Sequence, residues 1–214
     1  GIAKGSGMIA PNMATMLSFI FTDANISSSV LQKLLNVNTE KTFNSITVDS
    51  DTSTSDTVLL TSTNTKNHKK ITNFFDPKLD GFKKSIFQLM MNLAKKIVLD
   101  GEGATKLIHI KVVNAVSEKS AKKIGMSIAN SPLVKTAIAG EDANWGRIIM
   151  AIGKSYEKID LNKIKIYFED ELVTSNGMKY KKYSEKKVTK YLKKKEVNIL
   201  IDIVIGNKSW SIYT

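Results

Sequence analysis

The sequence predicts an α+β fold, in which strands and helices follow one another without a regular repeat. Apolar runs of strand length and stretches of helical periodicity succeed each other along 214 residues, and no internal repeat or flexible linker separates them. A hydrophobic fraction of 42% is ordinary for a globular core and excludes disordered and collagen-like proteins. We therefore expect one domain built of α+β layers.

The N-terminal half contains three predicted strands and two predicted helices. The strands are short apolar runs at residues 17–21, 46–48 and 58–60. A serine cap at residues 27–29 begins the first helix. The second helix is long and amphipathic, starts at Asp76-Pro77 and ends near Gly101. Its apolar side chains recur with a 3.6-residue period, so its methionines are expected to fill the core.

The C-terminal half adds further strands and helices. Residues 107–116 alternate between apolar and polar side chains and predict a strand, and residues 117–129 return to a helical pattern. Two more strands are predicted at residues 163–168 and 199–205. This order lacks the regular strand-helix-strand repeat of a doubly wound parallel sheet, which favours the α+β class.

The composition removes several classes of protein. The chain has no cysteine, which excludes a disulfide scaffold, a thiolate zinc site and a cysteine nucleophile, and we expect no metal and no cofactor. The first residues lack the pattern of a signal peptide, and no uncharged apolar run approaches the roughly 20 residues of a membrane helix. We therefore expect a cytoplasmic protein with no membrane partner.

The net charge of +12, from 32 basic and 20 acidic residues, raises the question of nucleic-acid binding. Arg147 is the one arginine of the chain, although phosphate and base recognition favours the planar, bidentate arginine side chain. The lysines concentrate in residues 179–195, where tyrosine and apolar side chains recur between them at helical spacing. We interpret this stretch as a helix with one solvated side and expect no nucleic-acid partner. A non-enzymatic polyanion-binding module stays open as an alternative.

The search for chemistry leads to a threonine. His68 lies in a polar loop and His109 on a strand, both expected to be structural or solvated, and no metal-binding histidine pair or Walker-type loop occurs. An N-terminal threonine needs no histidine, because its own α-amine can act as the base. Thr15 follows the small Ala14 and precedes an apolar strand. That mechanism requires cleavage of the Ala14-Thr15 bond, by attack of Thr15 on the Ala14 carbonyl and hydrolysis of the resulting ester.

Four segments of the chain carry a family resemblance. They are KGSGMIAPNMATM (residues 4–16), FNSITVDSDTSTSDT (43–57), DGEGATK (100–106) and SPLVKTAIAGEDANWGRI (131–148). In this order they resemble the glutamate N-acetyltransferase family, also called ornithine acetyltransferases or bifunctional arginine-biosynthesis acetyltransferases. The resemblance implies self-cleavage before Thr15, with residues 1–14 as the tail of an α chain and 15–214 as a β chain of one α+β domain. It also implies a layered αββα-like sandwich similar to that of N-terminal-nucleophile enzymes.

The implied reaction moves an acetyl group from N-acetylornithine to glutamate by a ping-pong route through an acetyl-threonine. Thr15 is then the nucleophile and acetyl carrier, Lys4 matches a lysine that contacts the substrate α-carboxylate, and Glu102 matches an acidic residue suited to the ornithine amine. The implied partner is the α chain, in a heterotetramer of two α and two β chains. Family members differ in whether they also use acetyl-CoA. A related aminopeptidase-like hydrolase, in which water takes the acyl group, stays open as an alternative.

The chain departs from the family pattern at several points. The family's oxyanion-hole threonine and glycine belong to the α chain and are absent from these 214 residues, and the chain ends at Thr214, just before the family's last substrate-binding segment. Ser50 and Ser55 stand where family members usually have glycine and asparagine. We expect Ser50 to alter its turn if the position needs a positive φ.

Overall fold

A computed structural model of the chain describes residues 1–5, 7–10, 16–51 and 56–214. Their contacts group into two compact units, Gly1–Glu102 (unit 1) and Gly103–Thr214 (unit 2). Each unit has its own sheet and its own helices. No local pattern in the sequence marks this boundary, because it falls in a short turn after a long helix and not in a flexible linker. The predicted division of the chain at Ala14-Thr15 lies outside the described residues and stays a prediction.

The described part of unit 1 contains a three-stranded sheet. Its strands, in spatial order, are β1 (Ile2–Lys4), β2 (Leu17–Thr22) and β3 (Thr57–Ser62). β1 is antiparallel to β2, and β2 is parallel to β3 with Leu17 opposite Thr57. The strands predicted at residues 17–21 and 58–60 are thereby confirmed.

Two helices pack against each other in unit 1, α1 (Ser28–Lys41) and α2 (Asp80–Leu99). α2 follows a 3₁₀ turn, Pro77–Leu79, which the Asp76 carboxylate caps by accepting a hydrogen bond from Lys78 N at 2.9 Å. Met90 on this helix is fully buried, which confirms its predicted place in the core. α1 begins after Ser27 as predicted, but the Ser27 side chain makes no capping hydrogen bond to the helix.

The two faces of the unit 1 sheet differ. Ser18 and Ile20 of β2 are buried and share the inner face with Leu60 of β3. The opposite, outer face carries a cross-strand row of Ile2 and Leu59 on either side of Phe19, because these residues are register partners. Ile2 is 66% exposed and Leu59 47%. This face is therefore an apolar surface that faces solvent, the kind of surface that proteins use for contacts.

Unit 2, which is described throughout, is built on a six-stranded sheet. Its strands are β4 (Leu107–Ala115), β5 (Lys165–Phe168), β6 (Glu171–Ser175), β7 (Met178–Lys179), β8 (Glu196–Asp202) and β9 (Lys208–Tyr213). Their spatial order is β7-β6-β5-β8-β4-β9, and the pair β4 and β8 is parallel whereas the other pairs are antiparallel.

Four helices accompany this sheet. They are α3 (Glu118–Ala129), α4 (Pro132–Ala139), α5 (Trp145–Gly153) and α6 (Glu185–Leu192). Fully buried Ile110 of β4, Ile124 of α3 and Ile199 of β8 belong to one hydrophobic core. The helix expected over residues 179–195 is confirmed only as α6, because residue 179 belongs to β7 and residues 180–184 are not helical. α6 buries Val188 and Leu192 and leaves its lysines toward solvent.

The order of strands and helices confirms the α+β class, but one predicted strand is wrong. Residues 46–48 do not form a strand; Ile46 follows a 3₁₀ turn, Phe43–Ser45, and the chain bends from Val48 onward. Ile46 and Thr47 are buried, but only Ile46 forms a bridge, with extended φ −122° and ψ 157°, so the apolar run is a single bridge residue and not a strand. The strand expected at 199–205 is β8, which starts three residues earlier and ends at Asp202. Among the described helices, none is long and apolar enough to cross a membrane.

Candidate active site

The predicted nucleophile Thr15 and the cleavage residue Ala14 lie outside the described residues. The chain on both sides of them is described, over residues 7–10 and residues 16–51. The structure therefore shows how the flanks of residues 11–15 are held, and the site can be built from those flanks.

The upstream flank is held by Asp49. Its carboxylate accepts hydrogen bonds from the backbone N–H groups of Met8, at 2.6 Å, and Ile9, at 3.1 Å. The backbone of Ile9 also accepts from Val48 N at 2.7 Å. Hydrogen bonds to an ionised acceptor are stronger than neutral ones, so Asp49 fixes the chain ahead of residues 11–15 firmly.

The downstream flank is held in the same manner by Asp56. Its Oδ1 accepts from Met16 N at 2.7 Å, and the Met16 carbonyl accepts from Thr57 N at 3.0 Å. Met16 is 4% exposed and directly precedes β2. The residue that follows Thr15 is thus both buried and tied through its N–H and its carbonyl.

Ser50 adopts the left-handed conformation between these two anchors. Its φ is +72°, next to Asp49. A residue with a side chain is strained there, whereas glycine is not. The turn therefore adopts a positive φ, and Ser50 places a side chain at a position where family members usually have glycine.

Lys4 lies on the outer face of the unit 1 sheet. It is the last residue of β1, it is opposite Leu17 of β2 and it is exposed. Leu17 is two residues beyond Thr15, so the β1–β2 pairing brings Lys4 near the start of β2. An exposed ammonium in this position is able to pair with a carboxylate of a bound molecule.

Glu102 lies at the end of unit 1 and is exposed. It follows Gly101, where an added Cβ would stand only 2.9 Å from Val48 Cγ1 and 3.1 Å from the Val98 carbonyl. The third motif therefore packs directly on Val48, whose N–H binds Ile9. Three of the four motif segments thus meet within unit 1, through Gly101, Val48 and Ile9.

A cavity of about 310 Å³ opens beside the two flanks. Ala10 and Met16, the described residues next to 11–15, both line it, as do the polar side chains of Thr39, Asn44 and Asp56. The Thr39 hydroxyl is buried and has no hydrogen-bond partner among the described residues. Lys4 and Glu102 lie outside the lining. The volume is within the range of small-molecule sites.

The fourth motif segment lies in unit 2 and forms the corner between α4 and α5. Ser131 caps α4, and Asn144 caps α5 by accepting from Arg147 N at 3.4 Å. The Arg147 guanidinium donates to the Leu133 carbonyl at 2.9 Å and to Thr136 Oγ1 at 3.1 Å, which ties α5 to α4. The one arginine of the chain therefore has a structural role here.

The DGEGATK segment has contacts in both units. Its Gly101 packs within unit 1, while its Lys106 is 3.7 Å from the carboxylate of Glu141 within unit 2. The Lys106 side chain is 11% exposed, and its ammonium also donates to the Leu192 carbonyl at the end of α6. This segment therefore has structural contacts in addition to the substrate contact expected of Glu102.

The two histidines have structural partners. The His109 ring stacks on Tyr213 at 4.5 Å, and its nitrogens lie 3.0 Å from Asn198 Oδ1 and Ser211 Oγ. His68 Nε2 accepts from Asn25 N at 2.9 Å in an exposed loop. Across residues 1–5, 7–10, 16–51 and 56–214, no group of three or more acidic or histidine side chains could hold a metal ion.

Asp49 and Asp56, which hold the two flanks, were not among the predicted site residues. Both lie in the second motif segment, residues 43–57, but no feature of the local sequence distinguishes them from Asp51 in the same polar stretch. Their partners are 40 residues away in the chain, and only the fold brings them together.

Residues 1–214 match the ArgJ family. The chain is 49% identical over 217 residues to the arginine biosynthesis bifunctional protein ArgJ of Brucella melitensis and, equally, to that of Rhizobium meliloti; each alignment covers all of this chain and 52% of the relative. It is also similar in structure to the crystal structure of the arginine biosynthesis bifunctional protein ArgJ from Bacillus halodurans, with a TM-score of 0.89, 40% identity and 93% of both chains covered. The chain spans about half the length of the curated relatives it matches.

Proposed function

Because the chain belongs to the ArgJ family, which it matches over its entire length, we propose that it is the nucleophile-bearing part of a cytoplasmic acetyltransferase of arginine biosynthesis. This membership confirms the family resemblance drawn from the four motif segments. The observation that carries the proposal is the alignment of the whole chain at 49% identity with proteins named for arginine biosynthesis. The reaction we propose is transfer of an acetyl group from N-acetylornithine to glutamate.

The first proposed step is self-cleavage. Thr15 Oγ attacks the Ala14 carbonyl, the peptide nitrogen of Thr15 leaves as an amine, and the chain is joined by an ester. Water then hydrolyses the ester, which frees the Ala14 carboxylate and leaves Thr15 with a hydroxyl and a terminal α-amine. That amine has an ordinary pKa near 8 and is able to serve as the base.

The second and third steps are two acyl transfers. Thr15 Oγ attacks the acetyl carbonyl of N-acetylornithine, its proton passes by way of the α-amine to the leaving nitrogen, and ornithine departs. The amine of glutamate then attacks the acetyl-threonine ester, which releases N-acetylglutamate and restores the hydroxyl. The ester keeps the acetyl group activated while one amino acid is exchanged for the other.

Lys4 and Glu102 are proposed as substrate-binding residues. The exposed Lys4 ammonium at the end of β1 suits a substrate α-carboxylate, and the exposed Glu102 carboxylate suits the ornithine amine. No cofactor enters these steps. Acetyl-CoA is proposed as a second acetyl donor, because the matched relatives carry the word bifunctional in their names.

The proposed partner is the α chain, the other half of the precursor, in a heterotetramer of two α and two β chains. The apolar outer face of the unit 1 sheet supports this proposal, since Ile2, Phe21 and Leu59 are 66%, 62% and 47% exposed there. A chain about half as long as its relatives leaves enough polypeptide to cover that face.

The test uses the complete precursor. We expect mass spectrometry of the precursor to show two fragments, the second of which begins at Thr15. The Thr15→Ala precursor should stay uncut. Incubation with N-acetylornithine alone should add one acetyl group to the Thr15 fragment, and glutamate should remove it as N-acetylglutamate.

The same experiment separates the alternatives. Release of free acetate at the same rate with and without glutamate would favour the hydrolase. Absence of any acetyl-threonine, together with strongly salt-dependent binding to a polyanion, would favour the binding module based on the lysines of α6.

A further inference from the structure

Two aspartates tie the flanks of residues 11–15 to one neighbouring segment. Asp49 holds Met8 and Ile9, and Asp56 holds Met16. The Ile9–Asp49 and Met16–Asp56 bonds each join residues 40 positions apart. This is also the offset of the parallel pair that follows, in which Leu17 is opposite Thr57. The chain is therefore tied by a carboxylate at two separate points, one on either side of residues 11–15.

Both ties are reinforced by the backbone. Val48 N donates to the Ile9 carbonyl beside Asp49, and Thr57 N donates to the Met16 carbonyl beside Asp56. Ile9 is 2% exposed and Met16 4%, so both tied residues are also packed in the core. The ends of the intervening segment are thus fixed in position by hydrogen bonds and by burial together.

We propose that Asp49 and Asp56 are positioning residues for the self-cleavage, which hold the chain on both sides of the Ala14-Thr15 bond. The proposal rests on the proposed function, since it requires that bond to be the one cut. Intramolecular attack of a hydroxyl on the preceding carbonyl depends on holding the two groups at the reacting distance. Fixing Ile9 and Met16 restricts the conformations open to the residues between them and lowers the entropic cost of that approach.

The two aspartates should differ once the bond is cut. Asp49 then holds the tail of the α chain, whereas Asp56 still holds Met16, the residue that follows the new N-terminal threonine. A change at Asp56 is therefore expected to slow both cleavage and acetyl transfer. A change at Asp49 is expected to slow cleavage more than transfer.

The experiment measures the cleavage rate of the complete precursor by intact mass, in the wild type and in Asp49→Ala, Asp56→Ala, Asp56→Asn and Asp51→Ala. Loss of either anchor should slow cleavage about 10- to 100-fold, the size of effect expected from a small misplacement of reacting groups. Asp56→Asn keeps an oxygen that can accept from Met16 N and should recover most of the rate. Asp51 is an exposed acid in the same polar stretch and serves as the matched control, with wild-type rates expected.

A structural loss of folding is separated from positioning in two ways. Hydrogen exchange of the β2 and α2 amides, in a Thr15→Ala background that cannot be cut, should stay near the wild-type pattern in each variant. The cleaved fraction of each variant, collected after long incubation, should show a lower kcat per acetylated threonine for Asp56→Ala than for Asp49→Ala.

Several results would overturn the proposal. Cleavage of both alanine variants at the wild-type rate would do so, as would equal slowing by Asp51→Ala. Loss of exchange protection in Asp56→Asn together with slow cleavage would assign these residues to folding alone. A wild-type precursor that stays uncut would refute the proposed function itself, and this proposal with it.

Discussion

The contact between Gly101 and Val48 provides a test of how the motif segments support one another. Replacing Gly101 by alanine would place a Cβ 2.9 Å from Val48 Cγ1, closer than such atoms come in folded proteins, and 3.1 Å from the Val98 carbonyl. Val48 is branched at Cβ and has few rotamers to escape into. We therefore expect Gly101→Ala to destabilise unit 1 by about 1–3 kcal/mol, the usual cost of overpacking.

A second substitution identifies the atoms responsible. Val48→Ala removes Cγ1 and also Cγ2, which stands 3.5 Å from the added Cβ, but leaves the Val98 carbonyl in place. In that background Gly101→Ala should cost about 1 kcal/mol less than in the wild type, within the range of coupling energies for residues in contact.

The assay has to report on unit 1 by itself. Both tryptophans, Trp145 and Trp210, lie in unit 2, so tryptophan fluorescence does not follow unit 1. Hydrogen exchange at the buried end of α2, at Ile97 and Val98, measures local opening there. A cost of 1–3 kcal/mol speeds exchange about 5- to 150-fold. The amide of Ile110 in β4 is the internal control and should be unchanged.

The reasoning would be refuted by additivity. If Gly101→Ala costs as much in the Val48→Ala background as in the wild type, the side-chain contact is not the source of the destabilisation. If Gly101→Ala leaves the stability of unit 1 unchanged in both backgrounds, the turn at Gly101 relaxes without strain and does not hold Val48 in place.

Further predictions concern one residue each. Ser50→Gly should stabilise unit 1 by about 0.5–1 kcal/mol, because relief of the left-handed strain exceeds the gain in unfolded-state entropy, and the α2 amides should exchange more slowly. Asn144→Ala should remove the cap on Arg147 N and cost unit 2 about 1 kcal/mol, seen as an earlier urea midpoint in tryptophan fluorescence; an unchanged midpoint would show that the cap is not needed. The salt bridge from Lys123, at 2.9 Å, lowers the pKa of Glu157 below its ordinary 4.5. The contribution of this salt bridge to the stability of unit 2 is therefore present above pH 4.5 and is lost as the pH falls through the lower folded-state pKa. Glu157→Gln should remove this part of the pH dependence of the urea midpoint.

Local signals account for the elements that the sequence predicted correctly. The Pro77 turn and the helical spacing of buried Ile86 and Met90 are sufficient to place α2. β4 was predicted from the alternation of apolar and polar side chains, and the structure buries Ile110 and Val112 while it exposes Lys111 between them. Such signals overestimate strand length at residues 46–48, where buried Ile46 is extended but forms only an isolated bridge before the chain bends at Val48.

Short helices were missed for a different reason. α4 and α5 have eight and nine residues, too few for a clear period, and their ends are set by the side-chain caps of Ser131 and Asn144. The Ser131-Pro132 pair is a start signal that could have located α4. The strand β9 was also missed. It follows a reversal of the chain at the left-handed residue Val204 and pairs with β4.

The candidate site was predictable only in its chemistry. The prediction of Thr15 rests on residue types, on the lack of an alternative nucleophile and on the family resemblance, and it stays a prediction. The anchors Asp49 and Asp56 do not, because an aspartate in a polar stretch gains its role from partners 40 residues away. Local sequence indicates which side chains can react, whereas only the tertiary fold determines which aspartates hold the flanks.

The pairing of β1 with β2 has a consequence for the products of the proposed cleavage. Residues 1–14 would become the end of a separate polypeptide, yet Ile2–Lys4 would remain an edge strand of a sheet owned by the other chain, with Ser18 Oγ donating to the Ile2 carbonyl at 3.3 Å. After cleavage, this strand would belong to a separate polypeptide and would pair with the sheet of the other chain. Extended peptides dock on sheet edges in the same way. A free peptide of residues 1–10 should then compete for this edge, and the two chains should separate more readily as its concentration rises.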